Sequence, residues 1–436
     1  MSKSEHLDYD YIIIGSGFGG AVSALRLAEK GYRVLVLEKG QWKSAKDFPK
    51  SNWNLKRWLW LPLLRFFGFF RITFFRHVGI LSGVGVGGGS LVYANTLPVP
   101  KESFFTADSW AHLANWKTEL EEHYSTALKM LGAAENTQLE YGDKALRTLA
   151  ESLGKTDDFE PTNVAVFFGE PEKTVPDPYF GGKGPDREGC RFCGGCMVGC
   201  RFNAKNTLDK NYLYLAQQEG AEIQAESEVT SVIPLDGDRG QTGYRIQWKQ
   251  STSYFPEKSE LTARGVIFSG GVLGTVKLLL ELKESTLPHL SNRTGGAIRT
   301  NSESLVGVTC TDSETDFSQG IAIGSILHTD KWSHLEPVRY SSGSGFWRLL
   351  MSPLVHGKNV LIRLGRVLAD FIRHPVKNLQ TYFVWDWAKR TQILLYMRTL
   401  NSTLRLRRGW FRMKSSLEEG ESPTAFMPEA KTLSDQ

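Results

Sequence analysis

The run Gly15-Ser16-Gly17-Phe18-Gly19-Gly20 has the G-x-G-x-x-G spacing of a phosphate-cradling turn. In such a turn Gly15 permits the tight bend and Gly17 lets a pyrophosphate approach the backbone. Gly20 allows a helix to pack closely on the strand before it. The helix expected from Ala21 aims N–H groups and the positive end of its dipole at the phosphates. Glu38 follows at about the 20-residue spacing of an acidic residue that hydrogen-bonds an adenosine ribose. A second cluster, Gly83 to Ser90, is interleaved with Val84 and Val86 and flanked by Leu81, Leu91 and Val92. Such a loop suits the edge of a pyrophosphate or isoalloxazine ring, where side chains would obstruct. It favours FAD over NAD.

A different chemistry is open to Cys190-x2-Cys193-x2-Cys196-x3-Cys200. Zinc sites usually join two separated ligand pairs, whereas this single tight run has the spacing of ferredoxin iron–sulfur ligands. Arg201 stands where a proline usually follows, and Cys310 is available as a remote ligand. Two readings are open here: an iron–sulfur centre, or a reduced, cluster-free loop packed near the flavin domain.

Elements must hold these groups in place. Tyr11–Ile14 reads as a buried strand, Ala21–Lys30 as a helix ended by Gly31, and Arg33–Glu38 as a second strand, giving a βαβ unit. Lys101–Leu131 has helical spacing through Trp110, Leu113, Trp116, Leu120, Tyr124 and Leu128. Thr207–Gly220 reads as helix and Glu222–Lys249 as two or three strands. Gly265–Gly271 reads as a strand ending in a glycine turn, then a helix over Thr275–Lys283. Periodicity does not separate helix from strand over Arg373–Arg408, and Glu418–Gln436 reads as a polar tail.

The 436 residues exceed one ordinary domain. With 41% hydrophobic and 23% charged residues the composition is globular, which excludes wholesale disorder. A net charge of +5 is too mild and too scattered for nucleic acid. Clustered cysteines point to a reducing compartment rather than a secreted disulfide framework. Met1–Asp10 is polar, with no secretory signal, and the expected location is cytoplasmic. The most apolar stretch, Trp58–Phe75, is broken by Arg65 and Arg71 and falls short of a transmembrane helix. Its aromatic and basic residues, within Trp53–Phe75, suit either peripheral contact with a membrane or a lid over the cofactor.

The N-terminal unit, Gly83–Ser90 and Val266–Thr275 occur here in an order that resembles the glucose–methanol–choline oxidoreductase superfamily. Cys190–Asp209 and Ile321–Tyr340, with His334-Leu335-Glu336-Pro337-Val338-Arg339, resemble its bacterial cholesterol-oxidase-like branch. The resemblance covers Asp10 to about Pro428. It implies an α/β fold: a Rossmann-like FAD-binding domain from 1–100 and 190–290, and a substrate domain of antiparallel sheet and helices from 101–189 and 291–436. It implies oxidation of a sterol-like or other lipid alcohol to a carbonyl, with hydride transfer to FAD and dioxygen or an electron-transfer partner as acceptor. FAD contacts carry over onto Gly15, Gly17, Gly20, Glu38, Gly85, Gly88, Gly89 and the backbone of Val229. Tyr93 stands where sterol oxidases place an asparagine, and Asn95 lies two residues on, as a further candidate contact.

Glu336 is the candidate substrate-side acid or base, since a carboxylate buried near an apolar substrate has a raised pKa. A salt bridge with Arg339 is the alternative. His328 and His334 read as structural. The family's C-terminal histidine and asparagine have no counterpart, the last histidine being His374. The expectation is therefore a chain lacking part of its catalytic segment. A sugar or polyol dehydrogenase passing electrons through an iron–sulfur centre, and a non-catalytic flavin-binding chain, stand as alternatives.

Overall fold

The computed structural model describes residues 7–436 except 238, 313, 358 and 425. The chain opens with strand β1 (Tyr9–Ile14), helix α1 (Phe18–Ala28) and strand β2 (Val34–Leu37). All of β2 and Ile12–Ile14 are buried. β1 runs parallel to β2 and to the distant strand Lys258–Phe268, so Ile13 lies opposite both Val36 and Ile267. Strands apolar on both faces need cover on both sides. Here α1 and helix Tyr212–Gln218 cover one face through Ala21, Ala24, Leu25, Leu213 and Ala216. Helix Gly271–Lys283 covers the other through Leu278 and Leu282. Strand Glu222–Gln224 extends the sheet beyond β2, and the antiparallel strands 244–250 and 227–234 extend it on the far side. The C-terminal ends of four parallel strands thus share one edge, where ligands bind in open α/β sheets.

A second sheet is wholly antiparallel, in the order 303–309, 391–398, 333–338, 325–328, 159–161. Side chains alternate across it. Leu327, Leu335 and Tyr396 pack on helix Tyr141–Ser152, while Val338 and Ile393 turn to the opposite face.

Several expected elements differ. The single helix over Lys101–Leu131 is two, Glu102–Phe105 and Trp116–Met130, with the Trp110 ring stacked on Trp116 at 5.4 Å between them. The Arg373–Arg408 stretch, where periodicity does not separate helix from strand, contains helix Pro375–Phe383 and strands Thr391–Arg398 and Thr403–Arg407. The end of the chain is no polar tail. Helix Pro428–Asp435 docks on the second sheet, because Met427, Ala430 and Leu433 recur at helical spacing and turn into its core.

The Trp53–Phe75 segment folds mostly inward. Trp58, Trp60, Phe69 and Phe70 are buried, with Trp58 stacked on Phe70 at 4.6 Å and edge-on to Phe346 at 5.1 Å. Their burial with Leu91 makes the segment a cover beside the second glycine loop. Leu63 and Leu64 stay exposed. Among the described residues, no helix is long and apolar enough to cross a membrane.

Candidate active site

Three glycine segments meet at the shared edge of the first sheet. Gly15 has a φ of +101°, and a Cβ there would lie 2.5 Å from Ser269 O. A Cβ on Gly20 would lie 2.0 Å from Gly15 O, and one on Gly88 2.6 Å from Gly17 Cα. Segments 15–20, 83–89 and 269–271 therefore touch backbone to backbone. Gly17 differs, for a Cβ there meets nothing within 4 Å. That open space beside the start of α1 is the opening expected for a pyrophosphate. No side chain caps α1, so its first N–H groups are free for an anion.

Polar contacts lock the loops together. Glu38 is buried, and its Oε2 accepts from Ser16 N at 3.1 Å and Ser16 Oγ at 2.8 Å. Its Oε1 accepts from Gly40 N at 2.9 Å and lies 3.4 Å from Gly85 N. Gly87 N donates to Ser16 Oγ at 3.1 Å, and Ser90 Oγ donates to Gly87 O at 2.7 Å. The sequence assigns Glu38 to a ribose. In the fold it also ties the two glycine loops to each other. Gly89 faces the exposed Phe18 ring, 3.8 Å from a Cβ position. Val229 packs beneath the sheet edge with Leu35 and Leu37. Just before it, Ser227 N donates to Glu38 O at 2.8 Å and Glu226 N to Gly40 O at 2.9 Å.

Asn95 is fully buried at φ +60°, and neither its Nδ2 nor its Oδ1 makes a hydrogen bond. Its polar neighbour is the Cys196 thiol, a weak partner. Leaving a buried amide unpaired costs about 1–3 kcal/mol, so this side chain suits a polar ligand. Tyr93 is turned away, its OH donating to Asn206 O at 2.7 Å.

The inner face of the second sheet lies opposite. Val338, Tyr340, Ile393 and Trp387 pack with Val198, Met197 and Ala94, which joins this face to the loop carrying Asn95. Glu336, two residues before Val338 on the same strand, shares its face. It is buried, and burial, with the Glu303 carboxyl, pushes its pKa up to about 8. His334 Nε2 stands 3.5 Å from Glu336 Oε1. Burial, with His328 and Lys101, pushes His334 down to about 4. Near neutral pH the pair is therefore mostly a neutral acid beside a neutral imidazole, not an ion pair. The salt bridge weighed between Glu336 and Arg339 does not form. Arg339 donates to Asp143 Oδ2 at 2.8 Å and to Ile321 O at 3.1 Å. Residues three apart on a strand face opposite sides, which separates Arg339 from Glu336.

Comparison with known proteins decides the family. Residues 183–292 match the GMC oxidoreductase family and residues 10–48 match an FAD binding domain. The chain is 44% identical to a cholesterol oxidase of Acinetobacter baumannii, over 98% of its own length and 79% of that protein. It is 42% identical to a cholesterol oxidase of Mycobacterium tuberculosis (strain CDC 1551 / Oshkosh), over 91% and 70% respectively. The chain belongs to the GMC oxidoreductase family. A crystal structure of pyridoxine 4-oxidase from Mesorbium loti shares its fold, with a TM-score of 0.56 at 12% identity over 98% of this chain and 78% of that one.

This GMC oxidoreductase is an FAD-dependent alcohol oxidase, and its glycine edge fits the cofactor. The open space at Gly17, the uncapped start of α1 and the unpaired Asn95 amide offer a pyrophosphate path and a polar contact.

The cysteines do not fit an iron–sulfur centre as drawn from their spacing. Cys190, Cys193, Cys196 and Cys200 line one void of about 20 Å³ together with Lys205 and Phe202. That is room for about one water. Among the described residues no three His, Cys, Asp or Glu side chains form a metal-binding group. Burial pushes the Cys193 thiol up to about 11 and those of Cys190 and Cys196 upward as well. As packed here, the four cysteines leave no space between them for a cluster.

Sequence reasoning missed Lys205. It is buried between the second glycine loop and the cysteines, its Nζ donating to Leu91 O at 3.1 Å and Cys196 O at 2.9 Å. Burial pushes its pKa down to about 7. Only its place in a polar run that must pass under the loop could have signalled it.

Proposed function

We propose that this chain oxidises the secondary alcohol of a sterol with FAD and that Glu336 takes the hydroxyl proton. FAD, when bound, supplies the acceptor for the hydride and passes the electron pair to dioxygen, as the names of the oxidase relatives indicate. The chain's own residues do the rest. Gly17 and the start of α1 receive the pyrophosphate, Glu38 the ribose, and the backbone at Val229 the adenine edge. Gly85, Gly88 and Gly89 give the ring system a wall without side chains, and Asn95 offers it a hydrogen bond.

The observation that carries the reading is Glu336, a carboxyl buried on an apolar sheet face that packs against the Asn95 loop. An apolar face whose polar groups are one buried carboxyl and the imidazole beside it suits a large hydrocarbon bearing one hydroxyl. A carboxyl with a pKa of about 8 works as a base only once ionised, so turnover rises as pH climbs through that value. The test is stopped-flow flavin reduction by cholesterol in the wild type and Glu336→Gln. The variant should bind flavin normally and lose both the rate and its rise with pH. An unchanged pH profile in the variant would assign the proton to another group.

A further inference from the structure

We propose that the helical pair Val360–Arg373 and Pro375–Phe383 is a docking surface for an anionic lipid bilayer. The first helix is built inside out. Leu361, Leu364, Leu368 and Ile372 recur at spacings of three and four, so they form one stripe. In a soluble helix that stripe would face the core. Here they are 79%, 60%, 63% and 72% exposed. It is the side next to the stripe, with Val367, Asp370 and Phe371, that is half-buried against the protein. The second helix repeats the pattern, with Val376, Leu379 and Phe383 exposed at the same spacing and Trp385 just beyond.

Packing holds the stripes outward. The Phe371 and Tyr382 rings lie 5.6 Å apart, and Asn378 Nδ2 donates to Asp370 O at 3.1 Å and Oδ2 at 3.0 Å. Tyr382 OH donates to Met351 O, and Arg348 to Tyr382 O at 3.2 Å. Met351 and Trp347 in turn pack on the inner face of the second sheet. An apolar molecule leaving a bilayer at this pair would arrive beside the Glu336 face. That benefit rests on the sterol reading, whereas the binding itself does not.

Charge selects the occupant. Asp370 is the sole acid between Phe346 and Trp385, against Arg348, Lys358, Arg363, Arg366, Arg373 and Lys377. Exposed apolar stripes on a segment with this excess of cations match the interface of a membrane carrying anionic headgroups.

The test is co-sedimentation of the full chain with sterol-free vesicles, of phosphatidylcholine alone or mixed with phosphatidylglycerol. The wild type should sediment with the mixed vesicles and more weakly with neutral ones. Leu364→Ser with Leu368→Ser should lower partitioning about thirtyfold, from the apolar area no longer buried. Arg373→Glu with Lys377→Glu should remove only the preference for anionic vesicles, and it leaves the apolar stripe intact should the serine variant fail to fold. Equal partitioning of wild type and variants overturns the proposal, as does wild type that sediments with neither vesicle. A wild-type dimer split by the serine substitutions, with no vesicle binding, assigns the stripe to a second copy and also overturns it. Loss of turnover with vesicle binding intact would strike the sterol reading and leave this one standing.

Discussion

At the glycine edge, a Cβ on Gly20 would sit 2.0 Å from a carbonyl oxygen, and a Cβ on Gly88 2.6 Å from another glycine. At the inner face of the second sheet, Glu336 is a buried carboxyl on a largely apolar face, with His334 beside it, and its chemistry comes from what surrounds it. The first region is specified by residues that are nearly absent as side chains. The second is specified by a fold that removes water from one carboxyl. The glycine edge therefore tolerates almost no substitution but has a simple pattern, while the Glu336 face has no local pattern at all.

The largest effect should come from Gly20→Val. Its side chain must displace the backbone of the turn, so α1 cannot seat on β1. The expected outcome is loss of flavin absorbance together with loss of cooperative unfolding. Gly17→Val sharpens the point, because its Cβ meets no protein atom. That variant should keep its far-ultraviolet dichroism and unfolding midpoint yet purify colourless. If both glycine variants unfold alike, the distinction between structural and ligand-facing glycines fails.

Next in size is Glu336→Gln, with turnover expected to fall about 10²–10⁴-fold at unchanged flavin content. A linked stability effect has a fixed sign. The native carboxyl keeps its proton up to about 8, against 4.5 for the ordinary group. Its contribution is complete below 4.5 and is lost as pH rises through 8. Thermal melts of the wild type should weaken across that window more than those of the glutamine variant. Parallel melting curves would place Glu336 in water.

The two regions also differ in how far the amino-acid sequence reveals them. Gly15, Gly17, Gly20 and Glu38 are legible because the dinucleotide turn is local: its strand, turn and helix follow one another within the first βαβ unit. Glu38's second task, bonding Ser16 and Gly40, is not legible, since it depends on a loop folding back onto its own turn. Glu336 could be picked out as a candidate, but its raised pKa arises from strands more than fifty residues apart in sequence meeting side by side. The same holds for Arg339. Its proximity to Glu336 suggests a pair, whereas strand alternation sends it to Asp143. Composition left Trp53–Phe75 open between a lid and a membrane contact, and it hid the C-terminal helix, because burial at both places is decided by distant partners.

The buried Arg339–Asp143 pair tests the second sheet without touching the proton acceptor. Both side chains are almost wholly enclosed, and Asp143 also accepts from Ser325 Oγ at 2.7 Å and Glu140 N at 3.0 Å. Asp143→Ala leaves an uncompensated guanidinium in the interior and should cost about 3–5 kcal/mol in denaturant unfolding. A cost below about 1 kcal/mol would mean that water reaches Arg339. The flavin edge, built on the other sheet, should retain its cofactor in the folded fraction.

The smallest effect belongs to the cysteines, and its smallness is informative. Their spacing is the most motif-like feature outside the glycine turn, yet the four sulfurs border a void with room for about one water. Cys193 is partly exposed, and Cys193→Ser exchanges a buried-leaning thiol for a hydroxyl of similar size. It should change turnover less than about twofold and stability by about 1 kcal/mol or less, in line with ordinary substitutions away from a core or a charged pair. Anaerobically purified wild type should contain flavin without matching iron or acid-labile sulfide. Iron and sulfide present in the wild type and lost in Cys193→Ser would reverse the assignment. The loop would then have to open from the packing seen here, whose void has room for about one water.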